Sequence, residues 1–168
     1  AGLAHTSHTY HSWGTLTGAV RNGGRVHEKT PMDDPEWTKD FIAAMHNRAG
    51  DRAKELADLA DLSGAERLLD VGGGSGVFSM AFCRAKPELT AVVFDLPTVT
   101  PLAREYIDEA GYSHRISTVS GDYRSDEFGR DFDMVLFSAI MHINSPEMNR
   151  DIIRKAAAAL NPGGQILI

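Results

Sequence analysis

Three carboxylates, a serine and a histidine stand in this sequence where short apolar runs give way to turns. Asp70 ends the run Leu68-Leu69-Asp70-Val71 and leads into Gly72-Gly73-Gly74-Ser75-Gly76. Asp95 ends Leu89-Thr90-Ala91-Val92-Val93-Phe94-Asp95, about 20 residues beyond the glycines. Asp122 follows the run 115–120 in Gly121-Asp122-Tyr123, and Ser138 follows Phe132-Asp133-Met134-Val135-Leu136-Phe137. His142 comes next, in Ser138-Ala139-Ile140-Met141-His142-Ile143-Asn144. Glycines let backbone approach a ligand because no Cβ intervenes. A helix opening after them turns its unpaired N–H groups toward the same place. A carboxylate at Asp95 can accept both hydroxyls of an adenosine ribose. Asp122 can take an adenine amino group, with Tyr123 packed on the ring. Asp70 can support the turn or meet an ammonium group. A histidine titrating near neutrality can take a proton from a hydroxyl nucleophile. Each has a plainer reading beside this one: a carboxylate at a strand end often caps a turn, and His142 can cap the following helix.

The elements that must position these groups follow from pattern. Leu68, Leu69 and Val71 read as a buried parallel strand and 77–83 as a helix, so strand, glycine turn and helix form a nucleotide-type site. The dinucleotide fingerprint needs glycine at its sixth place, where Val77 stands, and the phosphate-binding P-loop needs a lysine that is absent. Further strands are expected over 89–95, 115–120, 132–137 and from Gln165. Helices are expected over 99–110, stopped by Gly111, and from Ser145-Pro146 to about Leu160. Asp33-Asp34-Pro35 starts a long helix over about 36–61, which Gly50 can interrupt and Ser63-Gly64 closes. Strands alternating with helices predict an α/β fold with a parallel, doubly wound sheet and right-handed crossovers. Tyr10, Trp13, Leu16 and Val20 have helical spacing, which predicts a short amphipathic helix over 8–20 ended by Asn22-Gly23-Gly24. His5, His8 and His11 drift around such a helix rather than converge, so no metal site is read there.

At 168 residues the chain can bury one core, and its formal charge of −6 speaks against a broad nucleic-acid surface. Its one cysteine, Cys83, excludes an internal disulfide. No apolar run has transmembrane length and no signal peptide is evident, so the cytoplasm is the expected compartment. The apolar run Gln165-Ile166-Leu167-Ile168 is the start of a strand, and the chain is expected to be a piece of a longer protein.

Four stretches carry a resemblance: Leu69-Asp70-Val71-Gly72-Gly73-Gly74-Ser75-Gly76, Val93-Phe94-Asp95-Leu96-Pro97, Gly121-Asp122-Tyr123 and Leu160-Asn161-Pro162-Gly163-Gly164. From about Tyr10 onward the chain resembles the catalytic domain of class I S-adenosylmethionine (SAM)-dependent O-methyltransferases acting on small molecules. These are the caffeate, acetylserotonin, hydroxyneurosporene and polyketide-tailoring type. The resemblance implies a Rossmann-like sheet, here truncated after its fifth strand. It implies a remnant of a dimerisation or linker region at 1–34 and an incomplete SAM-binding domain at 35–168. Asp70, Gly72, Gly73, Gly74, Asp95, Leu96, Asp122, Tyr123 and Ser138 are then the cofactor residues. Trp37, Phe41 and Met45 fall where the family lines its methyl donor and acceptor, though ordinary helix packing explains them as well. His142 aligns with the family's general base. A protonated phenol attacks a sulfonium methyl poorly, and a base at His142 would take its proton as the new bond forms.

The implied reaction moves a methyl group from SAM to a hydroxyl of a small, aromatic natural product, leaving S-adenosyl-L-homocysteine. No metal, nucleic acid or membrane is expected, and the intact protein is expected to be a homodimer. Ile143 and Asn144 depart from the Asp-Trp that follows the family's histidine. That departure keeps open a SAM-binding subunit without catalysis, and methyl transfer to nitrogen or carbon is a further alternative. Val77 disfavours a nicotinamide dehydrogenase.

Overall fold

The strands are runs of Leu, Val, Ile and Phe bounded by acids and glycines, and all five form near their expected places. The structure is a computed structural model and describes residues 2–24, 26, 30 and 33–168. In chain order the elements are α1 (Gly2–Trp13), α2 (Leu16–Asn22), α3 (Pro35–Leu59), β1 (Arg67–Val71), α4 (Val77–Ala85), β2 (Thr90–Asp95), α5 (Thr100–Glu109), β3 (Ile116–Ser120), β4 (Phe132–Leu136), α6 (Pro146–Ala159) and β5 (Leu160–Leu167). Helix starts follow their capping residues. The Asp34 carboxylate accepts from the N–H groups of Glu36 and Trp37 with Pro35 in the first turn, and Ser145 accepts from Met148 N–H ahead of Pro146. Gly50 sits within α3 without ending it, and α3 stops at Leu59, before Ser63-Gly64.

The sheet is parallel throughout, in the order β3-β2-β1-β4-β5. β1 is central, and the order reverses between β1 and β4, which leaves a crevice at their carboxyl ends. Register brings the functional strand ends level: Asp70 lies opposite Leu136, Val71 opposite Phe94, and Asp95 opposite Ser120. Residue parity divides the core. Leu68, Val93, Met134 and Leu136 pack with Met80, Phe82 and Ile107 of α4 and α5. Leu69, Val71, Val92, Val135 and Phe137 pack on the opposite face with Phe128 and with Ile152 and Ala156 of α6. Asp70 shares the parity of Leu68, which sends its side chain toward α4 rather than α6.

Two expectations need correction. The helix read over 8–20 is two helices, broken at Gly14-Thr15, and its supposed apolar stripe faces solvent: Tyr10 is 77% exposed, Trp13 65% and Val20 73%. His5 and His8 face α3 instead, each against an aromatic ring. Spacing alone marks an amphipathic stripe, but packing partners decide which stripe is buried. The fifth strand begins at Leu160 rather than Gln165, because Leu160 already pairs with Phe132. The Asn161-Pro162-Gly163-Gly164 turn is taken up as an irregularity before Gln165 pairs with Met134. The segment assigned to 1–34 lies in part outside the described residues. Among the described residues no helix is long and apolar enough to cross a membrane.

Candidate functional site

The glycine turn is the floor of the site. Gly72, Gly74 and Gly76 have φ of 67°, 57° and 75°, a conformation that favours glycine. Gly72 N–H donates to Phe94 O and Gly76 N–H to Gly73 O, which ties the turn to β2 and closes it on itself. A Cβ on Gly73 would lie 2.7 Å from the Asp70 carboxyl carbon, so the turn folds directly over this acid. Asp70 is fully buried, and its Oδ2 accepts from Ser79 Oγ at 2.8 Å. Its Oδ1 is buried without a hydrogen-bond partner. Burial, opposed by the Ser79 bond and assisted by the charge of Asp95, raises its pKa to about 6. Asp70 therefore supports the turn from beneath.

Asp95 reaches the turn from β2. Its Oδ2 accepts from Gly74 N–H at 2.8 Å and its Oδ1 from Leu96 N–H at 2.7 Å. Burial pushes its pKa up and the two N–H bonds pull against that. A carboxylate offers about four lone-pair sites, so two remain for the hydroxyls of a ribose. Leu96, half-buried, is fixed through its backbone. Asp122 lies after β3, where its carboxylate is engaged by its own neighbour: Arg124 Nη2 donates to Oδ2 at 2.6 Å, and Arg124 N–H and Nε reach Oδ1. These bonds hold its pKa below the usual carboxylate range. Tyr123 packs against the α6-side core beside Ile140 and Met141, and Lys155 of α6 holds its carbonyl.

Ser138 is half-buried just past β4. His142 lies on the 3₁₀ turn Met141–Ile143, with its side chain exposed. On α3, Trp37, Phe41 and Met45 are half-buried. His8 stacks on Trp37 with centroids 5.3 Å apart and pairs with Asp40, while His5 meets Phe41 edge-on at 5.4 Å. Trp37 Nε1 and His5 Nδ1 are buried in that α1–α3 contact without hydrogen-bond partners. No cluster of His, Cys, Asp or Glu suited to a metal occurs among the described residues.

Sequence reasoning missed several residues. His46 of α3 bonds through Nδ1 to Ser75 Oγ at 2.8 Å and stacks on Tyr106 of α5 at 4.3 Å. Burial lowers its pKa, which favours the neutral ring in this bond. Its only signal in the sequence is its place one turn beyond Ile42, which faces Gly74. Ser79, one turn into α4, carried no signal of its bond to Asp70. Asn144, in the sequence only a departure from the family's motif, accepts from Tyr123 Oη at 3.1 Å.

Residues 13–168 match the family described as the O-methyltransferase domain. The chain belongs to that family. It is 36% identical over 149 residues to an L-tyrosine C(3)-methyltransferase of Streptomyces lavendulae, covering 89% of this chain and 41% of that protein. It is 35% identical over 169 residues to a 3-hydroxy-5-methyl-1-naphthoate 3-O-methyltransferase of Streptomyces sahachiroi, covering 96% and 48%. Among solved structures, NcsB1 of neocarzinostatin biosynthesis superposes with a TM-score of 0.74 at 26% identity, over 80% of this chain and 41% of that one. That structure holds SAM and 2-hydroxy-5-methyl naphthoic acid. The chain thus spans less than half the length of these relatives. The family and the parallel sheet are those the sequence resemblance implied. The buried Asp70 oxygen without a partner, the lone pairs left on Asp95 and the glycine backbone between them suit a ligand that brings both N–H and O–H donors.

Proposed function

We propose that this chain is the cofactor-binding part of a SAM-dependent O-methyltransferase that methylates a hydroxyl of a small aromatic natural product. One observation carries the reading: a buried acid beneath a left-handed glycine turn, with a second acid from the next strand at its lip. Asp95 would hold the ribose, the glycine backbone and Asp70 side the methionyl part, and Tyr123 and Leu96 the adenine. Asp122 could reach the adenine amino group through lone pairs that Arg124 leaves open. SAM supplies the electrophilic methyl carbon on a sulfonium. The chain's own part is to orient and to move a proton. His142 would accept the acceptor hydroxyl's proton at a ring nitrogen as the new bond forms, and its exposed position beyond β4 leaves it reachable by a substrate. Trp37, Phe41 and Met45 would wall the acceptor.

Transfer to carbon is the second reading, because the Streptomyces lavendulae relative is named for a carbon acceptor. A His142 base serves both, since a phenol deprotonated at oxygen is also nucleophilic at ring carbon. For the intact protein the family reading carries a location in the cytoplasm and a homodimer, of which light scattering after size exclusion tests the second.

Calorimetric titration with S-adenosylhomocysteine, with NAD as control, tests the cofactor on this chain and on Asp95→Ala. Binding of the former alone, lost in the variant, is expected. A folded chain that binds neither, or binds both equally, would overturn the reading.

A further inference from the structure

The segment between β4 and α6 is held by more than its ends. Ala139 has φ of 57°, a region alanine rarely occupies, so its surroundings must impose it. Three contacts hold the residues that follow it. A Cβ on Gly72 would lie 2.4 Å from Ile140 Cδ1, so the Ile140 side chain rests on the first glycine of the cofactor turn. Asn149 Nδ2, from α6, donates to Met141 O at 2.8 Å. Asn144 Nδ2 donates to Ile140 O at 3.3 Å and closes the segment on itself. The other end of the same amide accepts from Tyr123 Oη at 3.1 Å. Both ends of the Asn144 amide are therefore used, one on the segment that carries His142 and one on the ring that follows β3.

We propose that Asn144 is a positioning residue that joins Tyr123 to the His142 segment, so that seating the cofactor at Tyr123 and placing His142 become one event. The inference rests on the reading of this cleft as a SAM site. The physical case is that an amide combines an acceptor and a donor in one rigid plane. A tryptophan, which the resembling family carries here, offers one donor and no acceptor. The link in this chain is thus a polar bridge from one strand end to the next, and Ile140 passes its position on to Gly72.

The test uses this chain with Tyr123→Phe, Asn144→Leu and the double variant, and Asn144→Asp, which keeps the acceptor for Tyr123 and deletes the donor to Ile140 O. Hydrogen exchange is followed over 139–144 without ligand and with saturating S-adenosylhomocysteine, and the affinity for S-adenosylhomocysteine is measured for each protein. Loss of the Tyr123–Asn144 bond should speed exchange of this segment about fivefold in Tyr123→Phe, Asn144→Leu should speed it further because it also loses the bond to Ile140 O, and the double variant should match Asn144→Leu. S-adenosylhomocysteine should protect 139–144 in the unaltered chain and fail to do so in Tyr123→Phe, Asn144→Leu and Asn144→Asp, the last because it loses the donor to Ile140 O. Additive effects, unchanged exchange, or ligand protection that survives the loss of either partner would overturn the link. If the unaltered chain does not bind S-adenosylhomocysteine, the cofactor reading fails, and the ligand-free exchange series still decides whether Asn144 bridges the two segments. Should Asn144→Leu not fold, Tyr123→Phe and Asn144→Asp carry the same comparison.

Discussion

Asp70 is a carboxyl group held in a place that disfavours its charge, and Asp70→Asn makes the consequence measurable. Its pKa rises from 3.8 to about 6 on folding, chiefly through burial. The folded state then holds the proton more tightly than the unfolded chain does. The contribution to stability is fully present below the unfolded pKa and is lost as pH rises through the folded one. At about 1.36 kcal/mol per unit, the whole effect is about 3 kcal/mol. About 1.4 kcal/mol of it falls between roughly pH 5 and pH 7.5. Asparagine cannot titrate, and its carbonyl can still accept from Ser79. Urea unfolding of both proteins at those two pH values gives four free energies. The unaltered chain should lose about 1.4 kcal/mol more than the variant on going to the higher pH. His46 works in the opposite sense: its pKa is lowered, so its contribution is lost as pH falls below the histidine range. His46 titrates in both proteins and cancels to first order in the double difference, whereas Asp95, whose charge helps raise the Asp70 pKa, is read together with Asp70. An equal pH dependence in the two proteins would refute the assignment of Asp70 as a buried acid under strain of charge.

Gly73→Ala places a Cβ 2.7 Å from the Asp70 carboxyl carbon and should cost about 1–3 kcal/mol in urea unfolding, whereas Gly50→Ala, with nothing near its Cβ, should stabilise α3 by about 1 kcal/mol. His46→Phe keeps a ring for Tyr106 and deletes the bond to Ser75. It should lower stability by about 1 kcal/mol and remove the part of the pH dependence that fades below the histidine range. In the intact protein, His142→Gln should lower kcat by about 10²–10⁴ while leaving the affinity for S-adenosylhomocysteine unchanged, read by steady-state kinetics and calorimetry. Unchanged turnover would remove the general base from the mechanism.

Local sequence determined the sheet and the turn. Runs such as Leu68–Val71 and Val92–Asp95, bounded by acids, glycines and Pro97, read as strands buried on both faces of a parallel sheet, and the Gly72–Gly76 run can turn there because three of its residues take positive φ. Asp34-Pro35 and Ser145-Pro146 fixed two helix starts through capping alone. With the strands in place, topology put Asp70, Asp95 and Asp122 at one end of the sheet, so the candidate cofactor residues were legible from order and spacing. What each acid does there was not. Whether Asp70 meets Ser79 and whether His46 reaches Ser75 depend on how helices pack on the strands and turn, and whether Arg124 takes up Asp122, two residues away, depends on how the chain turns after β3. The same holds for α1, where Tyr10 and Trp13 lost their expected burial to His5 and His8 because Phe41 and Trp37 were the partners on offer. Asn144 is the clearest case. By itself it marked a broken motif, and only the approach of Tyr123 from the end of β3, across the switch between strands, made it a hydrogen-bonded bridge. Periodicity and turn chemistry act over a few residues and are written in the chain, whereas pairing across 21 residues is decided by how the strand ends line up.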